Sequence, residues 1–274
     1  MYYSRLQVVC DLEYAEILMA EIAETGFDTF MENEKGFEAY ASEFDREAVE
    51  QIKEKYKHVS PLLFFEDKIE KQNWNKEWEK NVEPVIVDDQ CLVRAEFHNI
   101  EKKYPYEIII TPKMSFGTGH HQTTYLMLKS QIKIDHKNKN VMDAGCGTVI
   151  LSIMASKLGA KSIEAFDIDE WSVSNGQENA EINHCANINI RQGKISDFKF
   201  ENKFDIILAN INKNILLAEM NNYSKELQPG GYLLLSGFYE HDIEDLKKEA
   251  AKSNLQEMHR DSRETWACLL LQKK

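Results

Sequence analysis

Apolar residues alternate over residues 3–10 (YSRLQVVC) and then recur at helical spacing over 12–25 (LEYAEILMAEIAET), so a strand is followed by an amphipathic helix, which Gly26 ends. Two short alternating runs, FDTFME and GFEAYAS, flank a turn at Asn33 to Gly36. A second helical stretch, DREAVEQIKEKYKH, comes next, and Pro61 precedes an extended run, LLFFEDKI. The order β-α-β-β-α-β predicts a split βαβ unit, a small α+β domain of ferredoxin-like type, over residues 1–66.

Residues 67–105 break this pattern and are expected to form a linker with a helix and short strands. Trp74 and Trp78 lie four apart on one helical face there, as packing anchors between domains or as a ligand-stacking pair. From residue 106 to 274 the periods alternate. Strands are predicted at 107–111, 140–144, 162–167, 187–191, 204–209 and 232–236, with a last pair near 255–260 and 266–272. Helices are predicted at about 120–131, 149–158, 170–183, 212–227 and 239–253. Such alternation specifies an α/β fold with a doubly wound parallel sheet. The final two strands, joined without a long helix, add an antiparallel strand to it.

The candidate chemistry is concentrated in VMDAGCGTVILSIMASKLGAKSIEAFDID, residues 141–169. A short apolar strand ends in Asp143 and enters the turn Gly145-Cys146-Gly147; an apolar helix follows, and a second strand ends at Asp167, 20 residues beyond Gly147. This is the spacing of a βαβ nucleoside site, with the acidic residue positioned to accept both ribose hydroxyls. A dinucleotide turn shows a third glycine as G-x-G-x-x-G, whereas Val149 and Ile150 occupy the fifth and sixth positions here. A bulky turn leaves little room for a pyrophosphate at the helix N-terminus, and a nucleoside cofactor without phosphate, such as S-adenosylmethionine, tolerates it.

Composition narrows the partners. The formal net charge is −13, and residues 1–70 hold 17 acidic and 7 basic side chains, 7 − 17 = −10. Such a leading segment repels nucleic-acid phosphates and suits a basic partner, although an acidic surface also serves solubility alone. Cys10, Cys91, Cys146, Cys185 and Cys268 are scattered without a C-x-x-C pair, which fits a reducing cytoplasm and argues against structural zinc. No apolar run reaches the ~18 residues of a membrane span. Adjacent His120 and His121 do not share a helical face, and no ligand-spaced partner follows them, so no metal is expected. Cys146, inside the glycine turn without a local histidine, reads as a small filler.

Two more segments are expected at the carboxyl ends of the strands: MSFGTGHHQTTYLML (114–128), with Gly117, Gly119 and the helix-start threonines Thr123 and Thr124, and FDIILANINKNI, with Asn210 just past an apolar strand. Together with GCGTVIL, KLGA (157–160), FDID (166–169) and LANI (208–211), these segments resemble the PrmA family, bacterial methyltransferases of the eleventh large-subunit ribosomal protein. The resemblance covers the whole chain; Val149 stands where a glycine is usual. It implies a class I methyltransferase sheet, S-adenosylmethionine as cofactor, and contact with it by Thr124, Gly145, Asp167 and Asn210. It also implies methylation of lysine side chains and the terminal α-amine, Asn210 being the candidate catalytic residue at the incoming amine. The leading domain would then grip the ribosomal protein in the cytoplasm, with no direct nucleic-acid or membrane partner. A class I enzyme for another protein or small amine, or a binding module that has lost turnover, are the alternatives.

Overall fold

The computed structural model describes residues 2–27, 29–33, 35–41, 43–59, 62–70, 83–111 and 121–274. Trp74 and Trp78, and the stretch with Gly117, Gly119 and His120, lie outside the described residues. Packing divides the chain into two compact units, Met1–Asn81 and Val82–Lys274.

The first unit runs β1 (Tyr2–Cys10), α1 (Leu12–Ala23), β2 (Thr29–Asn33), β3 (Gly36–Ala41), α2 (Arg46–Lys55) and β4 (Leu62–Glu70). Its sheet has the antiparallel order β2-β3-β1-β4 of a ferredoxin-like unit. Alternation puts Leu6, Val8, Phe37 and Ala39 on the face that packs with Ala15, Leu18 and Ile22 of α1 and Val49 and Ile52 of α2. The Asp45 side chain caps α2 by accepting from the Glu47 and Ala48 N–H groups. β4 continues to Glu70, past the boundary expected at residue 66.

The second unit begins with a small sheet, β5 (Val85–Val87), β6 (Cys91–Arg94) and β7 (Tyr106–Ile109), in the order β5-β6-β7. The strand predicted at 107–111 is thus found here, paired in parallel with β6, and not in the main sheet. Val87, Cys91, Val93, Ile108 and Ile110 share a buried apolar cluster with the main sheet's residues.

The remaining elements are α3 (Gln122–Gln131), β8 (Asn140–Ala144), α4 (Ile150–Lys157), β9 (Ser162–Asp167), α5 (Glu170–Ile182), β10 (Ile188–Gln192), β11 (Phe204–Asn210), α6 (Lys213–Glu226), β12 (Leu227–Tyr239), α7 (Ile243–Lys252), β13 (Leu255–Arg263) and β14 (Trp266–Lys273). The seven-stranded sheet has the order β10-β9-β8-β11-β12-β14-β13. β14 runs antiparallel to both neighbours while the other pairings are parallel, as the closing strand pair led us to expect.

Both faces of the sheet are covered. Val141, Ile206, Leu208 and Leu234 point to the cluster with α3 and α4, and Met142, Ile207, Ala209, Leu233 and Leu235 to the one with α6 and α7. Strands buried on both faces read as continuous apolar runs, which explains the LLL and IIL stretches. The chain reverses its winding between β8 and β11, and this switch point opens a crevice at the carboxyl ends of the strands. No helix among the described residues is long and apolar enough to cross a membrane.

Candidate active site

The glycine turn is stitched to the neighbouring strand. The N–H groups of Gly145 and Cys146 both donate to the Phe166 carbonyl, at 2.9 and 3.1 Å. Gly145 has φ +69, and a Cβ there would lie 2.4 Å from Cγ2 of Ile211, so both its dihedral and its surroundings demand glycine. Asp167, at the end of β9, braces the turn. Its Oδ2 accepts from the Gly147 N–H and its Oδ1 from the Asp169 N–H, each at 3.0 Å. A carboxylate has about four acceptor positions, so both oxygens keep capacity for a ligand.

A second carboxylate lies beneath. Asp143 is buried; its Oδ2 accepts from the Ser152 N–H (3.1 Å) and hydroxyl (2.6 Å), while its Oδ1 has no partner. Burial outweighs those bonds and pushes its carboxyl up to about 7, with the charge of Asp167 adding to the rise.

A cavity of about 890 Å³ opens above the turn, lined by Gly145, Gly147, Asp167 and Ile168 on one side and by Asn210, Ile211, Asn214 and Ile215 on the other. Ile211 is seated between two glycines. Gly237, at φ +92, faces it from β12, where a Cβ would come within 2.2 Å of the Ile211 carbonyl oxygen. Lys213 secures the same loop by donating to Asp242 (2.7 Å) and Asp245 (2.9 Å). His121 and Trp266 complete the wall, their ring centroids 4.6 Å apart and edge-on, and Tyr239 packs on the other side of Trp266 at 4.2 Å. The His121 Nδ1 accepts from the Thr123 N–H and caps α3. Burial pushes the imidazole pKa down, which keeps the ring neutral at pH 7.

Of the residues singled out by sequence, Gly145, Asp167 and Asn210 line this one cavity. Asn210 ends β11, and its Oδ1 is buried without a partner. Thr124 is fully buried in α3 with an unpartnered Oγ1, and its neighbour Thr123 is the one on the cavity wall. Sequence reasoning passed over Trp266, Gly237, Lys194 and Tyr223, all on the wall. Trp266 and Gly237 reach it through strand pairing at a distance, and Tyr223 sits in an ordinary apolar helical pattern, so none carries a local signal.

The chain matches the family described as ribosomal protein L11 methyltransferase (PrmA) over residues 10–274. The chain belongs to that family. A ribosomal protein L11 methyltransferase of Porphyromonas gingivalis is 43% identical, covering 93% of this chain and 89% of its own. One of Phocaeicola vulgatus is 38% identical, covering 95% and 94%. Among solved structures, a ribosomal protein L11 methylase of Lactobacillus delbrueckii subsp. bulgaricus superposes with a TM-score of 0.64 at 27% identity, covering 70% of this chain and 99% of its own. A methyltransferase of Pyrococcus furiosus shares the fold, with a TM-score of 0.52 at 19% identity, covering 60% and 88%.

As a member of this family, the chain is an S-adenosylmethionine-dependent methyltransferase. Its cavity fits that cofactor on grounds of its own. Among the described residues, the lining carries Asp167, Asp169 and Glu219 against one lysine, Lys194. That balance favours a cationic sulfonium and disfavours a pyrophosphate. The volume lies within the ~300–1,000 Å³ of small-ligand sites.

Proposed function

We propose that the enzyme transfers methyl groups from S-adenosylmethionine to amines of ribosomal protein L11, both lysine side chains and the terminal α-amine. The observation that carries this reading is the one cavity in which Gly145, Asp167 and Asn210 meet. In it, Gly145 lets the backbone approach the ligand and Asp167 accepts from the ribose hydroxyls. Thr123 contributes from the wall at the start of α3, with Thr124 buried behind it. The cofactor supplies an electrophilic methyl group on a sulfonium; the chain's own residues must present a neutral amine in line with it.

Presenting a neutral amine at pH 7 costs about 4–5 kcal/mol for a lysine of pKa ~10.4 and about 1–1.5 kcal/mol for an α-amine near 8. A water-poor wall of Ile211, Trp266 and neutral His121 lowers an ammonium pKa by desolvation, and Asn210, on the same wall, accepts from the amine hydrogens through its side chain or a nearby carbonyl. The acidic first unit, separate in its core, is read as the grip on the ribosomal protein, and the scattered free cysteines support a cytoplasmic location. Incubation with methyl-labelled S-adenosylmethionine and isolated L11, followed by intact mass measurement, tests the proposal. A gain of several methyl units supports it, and no gain on L11 in the presence of cofactor binding overturns the substrate.

A further inference from the structure

α5 turns three amides into the core. Asn175, Asn179 and Asn183 follow one another at intervals of four, on one helical face, with exposures of 3%, 0% and 7%. Buried amides are stabilising only when their donors and acceptors are met. The Oδ1 of Asn183 accepts from the Ile109 N–H (2.9 Å), and its Nδ2 donates to the Ile109 carbonyl (2.6 Å). The Oδ1 of Asn179 accepts from the Thr111 N–H (2.8 Å), and its Nδ2 donates to the Thr148 carbonyl (3.1 Å) and to Asn175 Oδ1 (2.9 Å). The helix reaches the turn this closely because Gly176 has no Cβ; one would stand 2.8 Å from Cγ1 of Val149, which follows the turn.

Asn179 therefore joins two pieces of backbone through a single side chain. Thr148 follows Gly147 in the glycine turn, and Thr111 is the last residue before the 112–120 stretch that contains FGTGH. We infer that Asn179 is a positioning residue for the cofactor, holding the glycine turn in register with the stem of that stretch; the inference rests on reading the cavity as the cofactor site. The job requires a carboxamide. Aspartate keeps the acceptor for Thr111 but loses both donated bonds, and it turns a carboxylate oxygen toward the Thr148 carbonyl. Asn183 is the matched comparison: it caps the same helix, has similar burial and bonds to the same stem, but among the described residues it makes no bond to the turn.

The test titrates S-adenosylmethionine calorimetrically into full-length wild type, N179D and N183D, with thermal unfolding of each. Both variants are expected to melt lower, but N179D to bind at least about ten-fold more weakly while N183D stays within about two-fold of wild type. Equal affinities in the two variants would overturn the inference. No binding by wild type would overturn the reading of the cavity itself, and the inference with it. Should N179D fail to fold, hydrogen exchange of wild type decides: saturating cofactor is expected to slow exchange at Thr111 together with Gly147. Slowing at Gly147 alone would overturn the inference.

Discussion

Val149 and Gly176 fit one another as side chain and space. Val149 is fully buried at φ +58, and a Cβ on Gly176 would lie 2.8 Å from its Cγ1. A left-handed conformation costs an L-residue about 1–2 kcal/mol, and full burial of a valine returns about 1.5–3 kcal/mol. The two effects nearly balance, which is how a branched residue persists in a left-handed conformation.

The pair should be strongly non-additive. Gly176→Ala in wild type is expected to destabilise by about 1–3 kcal/mol through overpacking against Val149. In a Val149→Gly background the same change should be neutral or stabilising by up to about 1 kcal/mol, because alanine is the better helix former. Urea unfolding of the four proteins measures this, and an equal cost in both backgrounds would show that the residues do not act on each other.

Asp143 should give stability a pH dependence of unusual sign for a carboxylate. Its folded pKa, raised to about 7, lies above the unfolded value of ~3.9. The folded state then binds the proton more tightly, so this group's contribution is full below about pH 4, declines as pH rises, and is lost above about pH 7. Asp143→Asn, which keeps an acceptor for Ser152, should therefore gain on wild type as pH rises from about 4 to 7. Unfolding free energies that run parallel across that range would contradict the assignment.

Gly237→Ala is expected to displace the Asn210–Asn212 loop, because the new Cβ would meet the Ile211 backbone. The combined overpacking and dihedral strain amount to about 2–4 kcal/mol. Methyl transfer should fall by more than about ten-fold, since an ångström of misplacement is enough for that loss. Melting temperature and turnover would be measured together, and wild-type values for both would refute the loop argument.

Trp266 is expected to matter for the acceptor more than for the cofactor. Its ring lines the cavity beside the neutral His121, where it can face an incoming ammonium. Trp266→Ala should lower kcat/KM for the protein acceptor about ten- to thirty-fold, because the opened wall desolvates the amine less well, with cofactor affinity little changed. A matching loss of cofactor affinity would move Trp266 into the cofactor's own contacts.

How much of this was legible beforehand follows the range of the interactions. The alternation of periods, the glycine turn and Asp167 are local patterns, and they led to the seven-stranded sheet and its crevice. EIIIT looked like another strand of that sheet, because an apolar run does not state its partner; Ile108 and Ile110 are buried equally well beside β6. Asn179 and Asn183 read as ordinary polar helix positions, since a sequence does not distinguish a solvated amide from one bonded to buried backbone. Thr123 and Thr124 differ by one helical step of about 100°, too fine for spacing to tell which one faces the cavity.

The asparagines of α5 have a consequence for solubility. β7 is the outermost strand of its small sheet, and its unpaired side is met by Asn183 at Ile109, with Asn179 continuing to Thr111. An open strand edge is a template on which another molecule's strand can add. Here the Ile109 and Thr111 groups of that template are occupied by side chains from within the same chain, so this end of the edge offers fewer free backbone groups for intermolecular pairing.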